Sequence, residues 1–279
     1  MEKLMKAIIV LLFFSLLFPQ KNLFIKIKSD SIVIDGTINE LEWGNSIVAE
    51  NFVEINPGIK NLPALARTKV RAAYDKKNLY IAFKAFDDRE LIRANQSKRD
   101  DIADDDRVIV SIDPRNDGVV SHYFSSNPFG NQLDGQKIGN NENDNWDAIW
   151  YSIGNINEDG YEVEMAIPFS TFRSENTDSL NWRINFLRFI PRKEGVRIDS
   201  WVPIDRDNTC NPCQFGYLKG INDVDIKSPV ELLPSIVGSN EDSYSSSLGF
   251  GISFPVGETA TAEVTLNPDF SQWSLMKQK

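Results

Sequence analysis

Residues 68–86 read TKVRAAYDKKNLYIAFKAF. Two runs rich in β-branched and aromatic residues, Thr68–Tyr74 and Leu79–Phe86, flank Asp75-Lys-Lys-Asn78, which carries turn formers at both ends. Runs of this length, bounded by Asp and Asn, predict two strands joined by a tight turn. The pattern recurs toward both ends of the chain. Upstream, Phe24–Lys28 alternates and Ile32–Ile34 leads into a turn at Asp35-Gly36. Downstream, Arg107–Ile112, Ser121–Ser125, Ala148–Ile153, Tyr161–Ile167, Trp182–Pro191 and Ser200–Pro203 are further strand candidates. Helical spacing is confined to Asn39–Ser46, Leu62–Arg67 and Pro168–Arg173, the last with Pro at its first helical position. Short strands separated by Gly, Asn, Asp and Pro clusters predict an all-β chain: an antiparallel, jelly-roll-like β-sandwich.

The 279 residues, 41% of them hydrophobic, suffice for one domain of roughly 200 residues and a modest appendage. A formal charge of −10 is the wrong sign for neutralising phosphates, so nucleic acid is excluded as a partner. With His122 the sole histidine, no multi-histidine zinc centre exists, and its place on an alternating strand makes it a structural residue. Cys210-Asn-Pro-Cys213 has the spacing of redox motifs but no helix or βαβ context. It is a tight-loop disulfide or a pair of free thiols rather than an oxidoreductase site.

The two ends differ from the middle. Lys3 and Lys6 precede an apolar run from Ala7 to Phe18 that Pro19 ends, so residues 1–20 form a secretory signal peptide, too short to span a bilayer. Composition shifts again after Gly220, and Asn222–Asp225 is a linker. In residues 226–279, Leu248, Phe250, Ile252 and Phe254 alternate with Gly and Ser, and Ala260, Ala262, Val264 and Leu266 alternate with Thr and Glu. An apolar face against a small, polar face suits membrane-barrel strands, and equally an amphipathic hairpin packed on the sandwich.

Candidate chemistry lies in two places. Asp100, Asp101, Asp104, Asp105 and Asp106 are the densest acidic cluster, a loop suited to a hard cation such as calcium or simply to solvent, without the EF-hand spacing. Trp146 and Trp150 flank Asp147, with Asn143 and Asn145 beside them, and Trp201 lies in Ser200-Trp-Val-Pro203. An even spacing puts Trp146 and Trp150 on one face of an extended segment. Aromatic faces stack on the C–H faces of pyranose rings while amides and carboxylates bond the hydroxyls, so this company points to saccharide, against a core-packing role for each Trp alone.

Several motifs together carry a resemblance. Ile34-Asp-Gly36 with Glu40 and Trp43, Val70–Asp75 with Leu79-Tyr-Ile81, Asp104–Asp113, and Gly160–Phe169 resemble, in that order, a family 9 carbohydrate-binding module over residues 24–222. Arg99-Asp100, Asn127-Pro-Phe-Gly130, Trp146–Trp150 and Leu266–Gln272 are similar to the Gram-negative subgroup that joins such a module to an outer-membrane β-barrel, here truncated. The resemblance implies an exported protein of the periplasm or outer membrane that binds polysaccharide or oligosaccharide and has no chemistry of its own. Carried over by motif, Trp146 and Trp150 are stacking residues, Arg99, Asn127 and Asp147 hydroxyl partners, and Asp104, Asp105 and Asp106 calcium ligands; Trp201 is a further ligand-binding candidate. Glu40 and Trp43 lock the N-terminal turn, and Glu162 and Glu164 face solvent or the cleft. The alternatives are an O-glycosyl hydrolase, which needs two opposed carboxylates, and a periplasmic domain without a ligand.

Overall fold

The computed structural model describes residues 20–27, 32–44, 46–58, 60–139, 141–172, 179–226, 231–240, 244–256 and 260–266. The chain divides into two compact units, Met1–Phe169 with Thr177–Asp225, and Ser170–Asn176 with Ile226–Lys279. The first holds β1 (Asn22–Phe24), β2 (Ile47–Ala49), β3 (Val53–Asn56), β4 (Leu62–Pro63), β5 (Thr68–Tyr74), β6 (Asn78–Phe86), β7 (Arg107–Asp113), β8 (Val120–Ser126), β9 (Gln132–Ile138), β10 (Asn141–Asn143), β11 (Tyr151–Asn157), β12 (Gly160–Pro168), β13 (Leu180–Arg192), β14 (Gly195–Ser200) and β15 (Gly216–Ile221).

The predicted hairpin is β5 and β6, antiparallel from Thr68 opposite Ala85 to Tyr74 opposite Leu79. Asp75 shapes its turn, its Oδ1 accepting from the amides of Lys77 and Asn78, both at 2.7 Å. The hairpin is central to a five-stranded sheet ordered β11-β12-β6-β5-β2. A larger sheet runs β10-β9-β8-β7-β13-β14-β3-β4, with β15 also on β13 and the short β1 added to β15 in parallel. The sheets meet through side chains that alternate inward along each strand. Phe83 of β6 and Phe186 of β13 stand edge to face at 5.8 Å, and both are fully buried, as are Val70, Val110, Val163 and Met165.

The outer face of the smaller sheet is covered by the N-terminal segment. Ile32 and Trp43 pack on Ala73, Tyr80, Ala82 and Ala166. Trp43 ends the single-turn helix α1 (Glu40–Trp43), which Asn39 caps by accepting from the Glu42 amide at 2.9 Å. Its indole donates to Glu164 Oε1 at 2.6 Å, and Glu164 Oε2 accepts from Asp35 and Gly36 at 2.9 and 2.8 Å. Glu162 accepts from Ile38 and pairs with Lys84. Glu162 and Glu164, expected to face solvent or the cleft, are therefore buried clasps for the Asp35-Gly36 turn. Trp43 locks that turn as anticipated.

Three local expectations are corrected. Leu62–Arg67 is not a helix: Leu62–Pro63 pairs with β3 as an edge strand, where a missing N–H is harmless. Leu62 and Leu65 stay exposed, so no apolar stripe is buried to hold a helix. Strand β12 continues through Pro168, leaving a single 3-10 turn at Phe169–Thr171 where a helix was expected. The strand placed at Ala148–Ile153 starts instead at Tyr151, because the Ala148 amide and Trp150 indole are committed to Asp134.

The second unit is an antiparallel meander of β16 (Glu231–Asn240), β17 (Tyr244–Val256) and β18 (Ala260–Leu266). Among the described residues no helix is long and apolar enough to cross a membrane. The predicted leader, apart from Gln20, lies outside the described residues.

Candidate functional site

Side chains that alternate with the core on β7, β8, β9 and β13 point to the opposite face of the large sheet. There they line a cleft of about 560 Å³, within the usual range for small-ligand sites. Register puts them in rows across the sheet: Gly135, Tyr123, Ser111 and Asn185 form one. Leu133, Ser125, Ile109 and Leu187 form the next, and Arg107 with Phe189 a third. Gly135 is required in the first row, because a Cβ there would lie 2.3 Å from Tyr123 Oη.

Polar groups rim this partly apolar floor, and most already have partners. Tyr123 Oη donates to Asp144 Oδ1 at 2.7 Å. Burial and the Asp144 carboxylate push the Tyr123 pKa well above its usual value, so the phenol stays a neutral donor. Lys137 pairs with Glu142 at 3.4 Å. The Arg107 guanidinium lies over the Phe189 ring, 4.1 Å from its centroid. Desolvation lowers its pKa while Asp104 and Asp105 oppose the shift. The walls come from Asp100 and Ala103, from Glu142 and Asp144, and from the stretch containing Ile204, Asn211 and Phe215.

The residues proposed from sequence are placed elsewhere, in three groups. Arg99 is a hub at the sheet edge. Its guanidinium donates to Asp134, to Gln132 Oε1 at 2.7 Å and to the Ala148 carbonyl at 2.8 Å, and its Nε lies 3.6 Å from Asp147. Trp150, 3% exposed, donates to the same Asp134 and meets Phe124 edge-on at 5.4 Å. Trp146 shares that side of the segment, as its spacing predicts, but rests half-buried against His122 and Phe124 at 4.7 and 6.0 Å. Neither tryptophan lines the cleft. Trp201, 4% exposed, packs on Phe186 at 5.5 Å as a core residue.

Asn127 is fully buried with its amide spent. It donates to the Asn95 carbonyl and Asp105, and accepts from the Phe129 and Asn131 amides, so it fixes the Asn127–Gly130 turn instead of meeting a ligand. Asp105 is occupied by Asn95 and Asn127, while Asp106 Oδ2 takes the Arg93 amide and Arg192. Asp104 is exposed. These three carboxylates serve different partners and do not fit a shared calcium ion. The acids that do converge among the described residues are Asp100, Asp134 and Asp147, with oxygens within 4.8 Å of one another. Arg99 is paired with all three and supplies the positive charge there.

The cleft residues went unnoticed because each is unremarkable alone. The available signal was β13, INFLRFI over Ile184–Ile190, which is apolar at its outward positions Leu187 and Phe189 as well as at the inward Ile184, Phe186 and Ile190.

The family model described as carbohydrate family 9 binding domain-like matches residues 34–220. No curated protein matches the chain. Among solved structures, the fold is similar to a carbohydrate-binding module family 9 from Caldicellulosiruptor kristjanssonii in complex with cellotriose, with TM-score 0.51, 18% identity, and coverage of 71% of this chain and 93% of that one. The same organism's module in complex with glucose gives 0.52 at 17% identity, covering 71% and 95%. A protein of Bacteroides uniformis ATCC 8492, designated a candidate carbohydrate-binding protein, gives 0.56 at 19%, covering 72% and 99%.

Proposed function

Since the chain belongs to the carbohydrate family 9 binding domain-like family over residues 34–220, we propose that it binds an uncharged oligosaccharide non-covalently in the cleft over β7, β8 and β13. The observation that carries this is the composition of the floor and rim. The Tyr123 and Phe189 rings offer apolar surface for sugar C–H groups, and Ser111 and the Tyr123–Asp144 pair offer polar atoms to hydroxyls. Lys137 with Glu142, and Arg107 near Asp104 and Asp105, are balanced within the protein, which favours a neutral ligand over a uronate. The family is one of binding modules, and no acid–base step is assigned to the cleft carboxylates.

Calorimetric titration with cello- and xylo-oligosaccharides tests the proposal. Binding is expected, with Tyr123→Ala weakening it roughly ten-fold or more. Absence of heat across a broad glycan panel would overturn it, and release of reducing ends would replace it with hydrolysis.

Export and outer-membrane association are part of the same proposal, on two supports. Cys210 and Cys213 are joined as a disulfide, which persists in oxidising compartments. In the second unit, the register aligns Ile236 with Leu248, Phe250 with Leu266, and Leu232 with Ile252 and Val264, all on one face. Of these Leu232, Ile236, Leu248, Phe250, Val264 and Leu266 are exposed, while Gly249, Gly251 and Thr265 take the other face. That pattern suits a lipid-facing side of barrel strands, although closure takes at least about eight. Recovery of the chain in the outer-membrane fraction after carbonate washing is the expected result; recovery in the soluble periplasmic fraction would contradict it.

A further inference from the structure

We propose that the Cys210–Cys213 disulfide is a positioning element of the saccharide cleft: it holds the wall formed by Ile204, Asn211 and Phe215 in its binding geometry. The inference rests on the cleft being the saccharide site. Residues 201–215 connect β14 to β15 with no strand of their own, and only a 3-10 turn at Pro212–Gln214. A connection of this length needs local fastening to present a fixed surface.

The fastening converges on the disulfide. The bridge closes a loop of sequence separation 3, with Cα atoms 5.4 Å apart, and Asn211 lies inside that loop. It is seated on Gly118, whose φ is +75° and where a Cβ would come within 2.6 Å of Cys213 Sγ and 3.0 Å of Cys210 Sγ. Only glycine at this turn lets the bridge pack so closely. Arg183 then ties the two loops together, donating through Nη1 to the Cys213 carbonyl at 2.6 Å and through Nε to Asn116. Asp113 fixes the Gly118 side, accepting from the Gly118 and Arg115 amides at 2.9 and 3.1 Å. At the far end Asn61 holds Ile204 through both its amide and carbonyl, at 2.9 and 3.1 Å. The cleft wall is thus clamped at Ile204 and at the bridge, and Asn211 lies between the two cysteines with its carbonyl accepting from the Gln214 amide at 3.1 Å.

Reduction by a dithiol opens it: two electrons and two protons pass to Cys210 and Cys213 as thiols, and the reductant leaves as its cyclic disulfide. Asn211 then samples several conformations, and binding has to order it again. The test titrates cellotriose and xylotriose into the oxidised chain, the dithiothreitol-reduced chain, and the Cys210→Ser/Cys213→Ser and Asn211→Ala variants singly and combined. The expected result is a roughly five-fold weakening on reduction and in the double-Ser variant, with cooperative melting retained. In the combined variant the losses are less than additive, because the bridge acts through Asn211. Faster amide exchange at Asn211–Phe215 on reduction accompanies them. If the oxidised chain binds and the reduced chain binds equally well, or if the losses simply add, the positioning role is overturned. If the oxidised chain binds neither sugar, the assignment of the cleft itself falls, and this inference with it.

Discussion

Asp199 shows how burial sets the behaviour of a single residue. It is fully buried on β14, its Oδ1 is 3.4 Å from Arg197 Nε, and Arg188 is its register partner on β13. Burial nevertheless dominates. The pKa is raised from 3.8 to about 6, with Arg197 and Arg188 opposing the shift and Glu54 and Asp87 reinforcing it. A folded value above the unfolded one means that this group's contribution is present below about pH 4 and lost as pH rises through about 6. Asp199→Asn should therefore raise Tm at pH 8 by roughly 3–8 °C, with the gain disappearing toward pH 4. Thermal melts across that range check this, and a pH-independent difference would contradict it. His122 runs the other way. Burial lowers its pKa from 6.5 to about 4, so its contribution falls as pH drops through that window. At Arg99 the guanidinium stands among Asp100, Asp134 and Asp147. Arg99→Met should leave three carboxylates that calcium can reach, so calcium raises the variant's Tm and leaves the parent unchanged; equal responses would contradict the role given to Arg99. None of these roles was visible from residue type alone. Arg99 and Asp147 are named from sequence as hydroxyl partners, but sequence does not reveal that the Arg99 guanidinium is bonded internally to Asp134, Gln132 and Ala148.

At the scale of elements, β12 is an interior strand of the smaller sheet. It pairs with β6 along its full length from Gly160 to Pro168, and with β11 on its other side. Its start depends on Gly160, with φ +139° and a would-be Cβ 2.1 Å from the Ala85 carbonyl oxygen. Gly160→Ala should cost at least about 2 kcal/mol, measurable by urea unfolding; an unchanged midpoint would contradict the strain. The strands legible in sequence were those whose alternation faces one apolar core, such as β5, β6, β7 and β12. Those missed were set by pairing with a neighbouring strand and not by their own composition. β9 carries Gln132, Asp134 and Gly135 and reads as loop, yet it is fixed by register to β8. Strand β4 follows from pairing with β3 and not from its own propensity.

For the whole molecule, the sandwich was legible because many short strands with frequent turn signals admit few other architectures. The location of the site was not, because a cleft on a sheet is built from alternate residues of four strands, none of which forms a local motif. Tryptophan, the most conspicuous sugar-stacking side chain in the sequence, is used here at Trp43, Trp150, Trp182 and Trp201 to fill the core, each at most 4% exposed. The cleft relies instead on Tyr123 and Phe189. The most direct test of this assignment is residue-resolved: amide chemical-shift mapping of the isotope-labelled chain during titration with cellotriose. The predicted result is perturbation centred on Ser111, Tyr123, Asn185 and Phe189, with Trp146 and Arg99 outside the main patch. Perturbation centred on Trp146, Asp147 and Arg99, with the cleft amides unmoved, would contradict it.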